Sequence, residues 1–169
     1  MKKIKSFSHF SDSHSMSRLF ESGKDKLEGR IAEIVGVYDD IKSVEYILEE
    51  GNYDYEWKIS TEHNSYNING DISDLIRAYS FTGPPDYERV DGSVFHHDFL
   101  KPVTICINVL GIEGKLFNEV NSTTVDKIKS DMSRFKTLLE QHLDYLPEGS
   151  ITLYDAGWIG NYKINIKIP

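Results

Sequence analysis

The clearest periodicity in the chain lies toward its C-terminal end. Val125, Ile128, Met132, Phe135, Leu138, Leu139 and His142 recur at three- and four-residue steps. That spacing predicts an amphipathic helix over 124–143, because 3.6 residues per turn gathers these positions on one face. Lys127, Lys129, Asp131, Arg134 and Lys136 fill the opposite face. Thr123 or Thr124 can cap the start, and Pro147 stops anything beyond Leu146. The pattern then changes to period two. Ser150 to Tyr154 and Tyr162 to Ile168 read as strands, the second with clean apolar–polar alternation. The segment Ala156 to Asn161 between them suits a hairpin-type turn, so antiparallel pairing is expected.

Residues 101–110 read as a buried strand, β-branched and apolar. Gly111 and Gly114 punctuate a turn, and Leu116 to Val120 reads as a short companion strand. Tyr53 to Ser60 is a further strand, with large rings on one face and charges on the other. Asn64 to Ile68 can pair with it, and Asn69-Gly70 turns the chain. Asp71 then caps a short helix with Ile72, Leu75, Ile76 and Tyr79 inward. Upstream the signals conflict. Met16, Leu19 and Phe20 have helical spacing with Gly23 as a stop. Leu27, Ile31, Ile34 and Tyr38 form a helical stripe, but Gly29 and Gly36 interrupt it, each at up to about 1 kcal/mol. Residues 31–38 and 41–50 fit a strand as well as a helix. Pro84-Pro85, between Gly83 and Gly92, marks a loop. The sum is an α+β fold: a mainly antiparallel sheet with helices packed on one side, residues 1–169 forming a single globular domain.

A chain of 169 residues that is 39% hydrophobic can bury a core of its own. This excludes collagen, a disulfide-rich miniprotein, a membrane bundle and a mainly disordered chain. Cys106 is the only cysteine, so no internal disulfide forms, which fits a reducing compartment. The start, Met1-Lys2-Lys3-Ile4-Lys5, resembles a signal peptide but runs into Ser6, Ser8, His9 and Asp12 without an apolar core. No run approaches the ~20 apolar residues of a membrane span, and a cytoplasmic location is expected. The net charge is −8, and its placement is more informative than its size. Residues 37–98 hold fourteen acidic and four basic side chains, while the flanking thirds are near neutral. Such a surface repels nucleic-acid phosphates and anionic lipid, and it attracts a cationic partner.

Motifs for chemistry are sparse. His96-His97-Asp98 is the most metal-like cluster. In an extended segment His96 and His97 point to opposite faces, so His96 and Asp98 would share the ion, as in a small metal-dependent hydrolase. Gly111-Ile112-Glu113-Gly114-Lys115 has the look of a phosphate-loop end, but Val109 and Leu116 stand where that loop needs Gly and Ser or Thr. Neither a dinucleotide fingerprint nor a nucleophile elbow occurs. Asp54 and Glu56 fall about 7 Å apart on one strand face, a spacing a glycosidase could use only across a sugar cleft. No catalytic residue, metal ligand set or cofactor is therefore assigned, and a non-catalytic protein is expected.

One compositional feature remains. Tyr38, Tyr46, Tyr53, Tyr55, Trp57 and Tyr66 interleave with carboxylates over residues 38–66. The candidate partner-binding residues are Asp39, Asp40, Glu49, Glu50, Tyr53, Asp54, Tyr55, Glu56, Trp57 and Glu62. Tyrosine and tryptophan supply large amphipathic contact area at interfaces, and carboxylates pair with Arg and Lys of a partner. The competing reading is that the rings fill a core and the charges only solvate it. In this acidic, ring-bearing third the chain resembles bacterial immunity proteins of the contact-dependent inhibition and polymorphic-toxin kind. The resemblance implies a small cytoplasmic protein without cofactor or catalytic motif. Its implied partner is a cognate toxin domain, basic in character, such as a nuclease whose active or substrate-binding site is capped. It carries over no individual site residue, and it leaves the oligomeric state open.

Overall fold

Six strands form one antiparallel sheet around β3 (Val103–Ile112). On one side of β3 lie β1 (Tyr53–Ser60) and then β2 (Ser65–Asn67); on the other lie β6 (Tyr162–Ile168) and then β5 (Ile151–Asp155). The two-residue strand β4 (Lys115–Leu116) folds back on the end of β3. The computed structural model describes residues 25–80, 98–155 and 161–169.

Strand alternation decides where the core lies. Trp57 pairs with Ile107 and Ile59 with Ile105, and across β6 Ile105 meets Ile166 and Ile107 meets Ile164. These residues share one face, and all are buried. Against that face pack α1 (25–42), α2 (Tyr46–Glu50), α3 (Ile72–Ser80) and α4 (Ser122–His142), whose buried side chains join the sheet in one continuous cluster. The fold is thus α+β, with an antiparallel sheet covered by helices on one side. The opposite face carries Glu56, Lys58, Thr104, Cys106, Asn108, Lys163, Asn165 and Lys167, a polar row set by the same period of two. No described helix is long and apolar enough to cross a membrane.

Several local expectations change. The conflict over 31–38 and 41–50 resolves to helix, broken at 43–45. Buried Leu27, Ile31, Ile34, Val37, Ile41 and Val44 make a stripe that outweighs the two glycines. Asn121, not Thr123 or Thr124, caps α4, its side chain accepting from the Thr124 amide at 2.9 Å. His142 is exposed although the stripe placed it inward, and Asp131 is half-buried although the pattern placed it outward. Asp71 caps α3 as expected, through Ser73 N–H at 2.8 Å, but Tyr79 is 46% exposed and lies with its ring 4.1 Å from that of Tyr66. Gly111 belongs to β3, and the turn is Glu113-Gly114. Beyond Leu116 the expected strand is a single 3-10 turn, Phe117–Glu119. The readings at 16–23, at Pro84-Pro85, at His96-His97 and within Ala156–Gly160 lie outside the described residues.

Gly29 and Gly36 are exposed on α1, and among the described residues a methyl group at either would meet nothing within 4 Å. Glycine in a helix interior costs about 0.5–1 kcal/mol relative to alanine, largely through unfolded-chain entropy. The double variant Gly29→Ala/Gly36→Ala is therefore expected to gain about 1–2 kcal/mol, raising Tm by roughly 2–4 °C per kcal/mol. Thermal melts check this; an unchanged or lower Tm would mean α1 needs those glycines for another reason.

One buried polar side chain fastens the layers. Arg30 of α1 is only 7% exposed. Its Nε donates to the Phe99 carbonyl (2.9 Å), and its Nη2 donates to the carbonyls of Lys101 (3.0 Å) and Ile168 (3.2 Å). Its Nη1 donates to Pro169 O and to Glu33 Oε2, both at 2.8 Å. All five guanidinium N–H groups are used, and α1 is tied to the entry of β3 and the exit of β6.

Candidate functional site

A group of carboxylates without ion-pair partners among the described residues lies where α1 bends into α2. Ile41, Val44, Ile47 and Leu48 pin this elbow to the core. Anchoring at those positions turns Asp39, Tyr46, Glu49 and Glu50 to the surface, with Asp40 half-buried. Among the described residues no cation lies within ion-pair distance of Asp39, Asp40, Glu49 or Glu50.

The end of α4 completes the surface. The exposed Tyr145 hydroxyl donates to Asp40 Oδ2 at 2.6 Å. Ser43 Oγ donates to the Asp40 carbonyl at 2.6 Å and lies 3.4 Å from His142 Nδ1. Tyr145 is 56% exposed and Tyr46 40%, so the elbow carries two accessible rings beside its carboxylates. Tyr145, about a hundred residues from Asp40 in the chain, was not among the residues expected here, and no local pattern marks it.

Behind the elbow sits an internally paired polar cluster, in which only the buried Trp57 Nε1 finds no hydrogen-bond partner among the described residues. Glu45 accepts from the Tyr55 hydroxyl at 2.8 Å and pairs with Lys42 at 2.6 Å. The Lys42 ammonium lies 5.2 Å from the Trp57 ring centre, and Tyr38 meets Trp57 edge-on at 5.3 Å. Burial and the Glu45 carboxylate both raise the Tyr55 pKa, and burial and Asp131 do the same for Tyr53, whose hydroxyl donates to Asp131 at 2.6 Å.

The ten candidate residues therefore do not form one patch. Asp39, Asp40, Glu49 and Glu50 gather at the elbow. Tyr53 and Trp57 are buried, and Tyr55 is half-buried. Because successive strand residues alternate, Asp54 and Glu56 face the far side of the sheet. Asp54 Oδ2 accepts from the Gly114 amide at 3.0 Å, and Glu56 accepts from Asn108 at 3.2 Å and pairs with Lys58 at 3.3 Å. Glu62 pairs with Lys101 at 3.1 Å, beyond the end of β1. Among the described residues no three His, Cys, Asp or Glu side chains converge as a metal site, and Asp98 opens a 3-10 turn (Asp98–Leu100). Cys106 is buried on the polar sheet face, where burial raises its thiol pKa.

The tyrosines give a pH signature. A folded-state pKa raised above the unfolded value of ~10 favours folding at lower pH, and that contribution is lost as pH rises above about 10. Urea midpoints are expected to fall between about pH 9 and 11, and to fall less steeply in Tyr53→Phe/Tyr55→Phe. Parallel slopes in the two proteins would show that these hydroxyls carry no linkage.

No protein-family model, curated protein or solved structure matches the chain.

Proposed function

We propose that the protein is a non-catalytic inhibitor of the immunity type, which neutralises a cognate toxin domain by covering a basic surface on it. The supporting observation is the elbow, where four carboxylates without ion-pair partners among the described residues stand beside the accessible rings of Tyr46 and Tyr145. A cationic partner could neutralise these acids without displacing an internal cation, while the rings supply contact area. The inhibition is steric and electrostatic. Opposite charge speeds encounter, and the rings and desolvated pairs hold the complex.

The first test is the gene neighbourhood: a large adjacent reading frame that ends in a basic domain is expected, its absence would count against the reading, and its C-terminal domain is the one to produce. Produced alone, that domain is expected to arrest growth, and co-production of this chain is expected to restore it. Stopped-flow association is expected to slow at least about tenfold between about 50 and 500 mM salt. No rescue would overturn the reading, and a salt-independent rate would remove its electrostatic half. Asp39→Lys/Glu49→Lys should lower the on-rate more than the off-rate changes.

A further inference from the structure

The two sheet edges differ. At one edge β2 is only three residues long. At the other, β5 offers Ile-Thr-Leu-Tyr-Asp, with neither proline nor lysine to discourage pairing. The Lys167 amide donates to the Ser150 carbonyl at 2.9 Å, and Thr152 and Tyr154 continue that inward-bonding parity against Asn165 and Lys163. The backbone N–H and C=O groups of Ile151 and Leu153 therefore point away from the sheet, and among the described residues no strand pairs with them. At the head of this edge a hollow of about 550 Å³ opens against the last turns of α4, lined in part by Lys136, Glu140, Leu143, Asp144, Glu148 and Ile151. Lys136 is bridged to Glu140 at 3.2 Å, which leaves Asp144 and Glu148 without a cation among the described residues. Tyr145, next to Asp144, reaches Asp40, so the hollow adjoins the acidic elbow.

We propose that the β5 edge and this hollow receive an extended, lysine- or arginine-bearing segment of a partner protein, which adds to the sheet as a further strand. Main-chain hydrogen bonds to Ile151 and Leu153 supply the fit, and the carboxylates of the hollow select positive charge. The sign of the segment's charge rests on the cationic-partner reading; the strand geometry does not.

The test is NMR hydrogen exchange on the full chain with a capped hexapeptide of alternating lysine and valine. At saturation the Ile151 and Leu153 amides are expected to exchange about tenfold or more slowly, while the inward-bonded Thr152 amide changes little. The same peptide N-methylated at every second residue, in either register, keeps its charge; the methylation that faces β5 is expected to weaken binding at least about tenfold. A glutamate–valine peptide is expected to bind at least about tenfold more weakly. Unchanged exchange at Ile151 and Leu153, or indifference to both methylation registers, would overturn strand addition while leaving growth rescue and its salt dependence intact. Equal binding of the acidic peptide would overturn the charge selection.

Discussion

Arg30→Ala is expected to cost about 3 kcal/mol or more, the largest loss from any single polar side chain described above. The guanidinium spends all five donors within the fold, four on main-chain oxygens and one on Glu33. Truncation strands those carbonyls where water reaches poorly, and it opens a space at the junction of α1, β3 and β6. A hydrogen bond to a charged group contributes ~1.5–3 kcal/mol, so even partial rehydration leaves a large deficit. The Glu33 carboxylate is half-exposed and adds little as an ion pair. Geometry also distinguishes lysine from arginine. Lysine gathers three donors at one point and cannot span acceptors on Phe99, Lys101 and Ile168, so Arg30→Lys should recover less than half of the loss. Urea unfolding reads the effect as a lowered midpoint at constant slope. A loss below about 1 kcal/mol for Arg30→Ala would mean that the freed oxygens are rehydrated at little cost and that the clamp is not a main support of the fold.

Arg30 also marks what the sequence does not disclose. Its acceptors are carbonyls at residues 99, 101, 168 and 169, and a backbone carbonyl has no signature in side-chain pattern. Regular elements were more legible. Tyr53–Ser60 and Tyr162–Ile168 have the bounds their alternation predicts, because one buried face forces a period of two. Residues 31–50 were ambiguous, since Gly29 and Gly36 weaken a helix by propensity alone while the deciding force is burial of the apolar stripe against the sheet. The candidate site divides along the same line. Alternation along β1 made it predictable that Tyr53 and Trp57 would part from Asp54 and Glu56. The approach of Tyr145 to Asp40 is set by how α4 ends against the α1–α2 bend, a tertiary contact without local cause.

Gly111→Ala should be the most damaging of the described glycine substitutions, at about 3 kcal/mol, because the obstacle is main chain. A methyl group there would stand 2.2 Å from the Lys115 carbonyl oxygen, an atom held by the Gly111–Leu116 and Ile112–Lys115 pairing of the hairpin. Main-chain overlap cannot be relieved by a rotamer change, so the cost reaches the upper end of the 1–3 kcal/mol range for overpacking. Gly114, three residues on, is glycine for a different reason. Its φ is +76°, and among the described residues an added β-carbon would meet nothing within 4 Å. Glu113 also has positive φ, at 51°, so the two residues form the primed turn whose twist suits a hairpin. Asparagine tolerates such dihedrals, so Gly114→Asn should cost under about 1 kcal/mol and Glu113→Asn should stabilise slightly. Asparagine at 111 should be at least as harmful as alanine, since its β-carbon meets the same oxygen. The turn is also tied to β1: the Glu113 amide donates to Asn52 O at 2.8 Å, and the Gly114 amide to Asp54. Disruption at 111 should therefore speed exchange of the Glu113 and Gly114 amides beyond any global change. Urea midpoints and exchange rates for the four variants test the distinction. Similar losses for Gly111→Asn and Gly114→Asn would refute it.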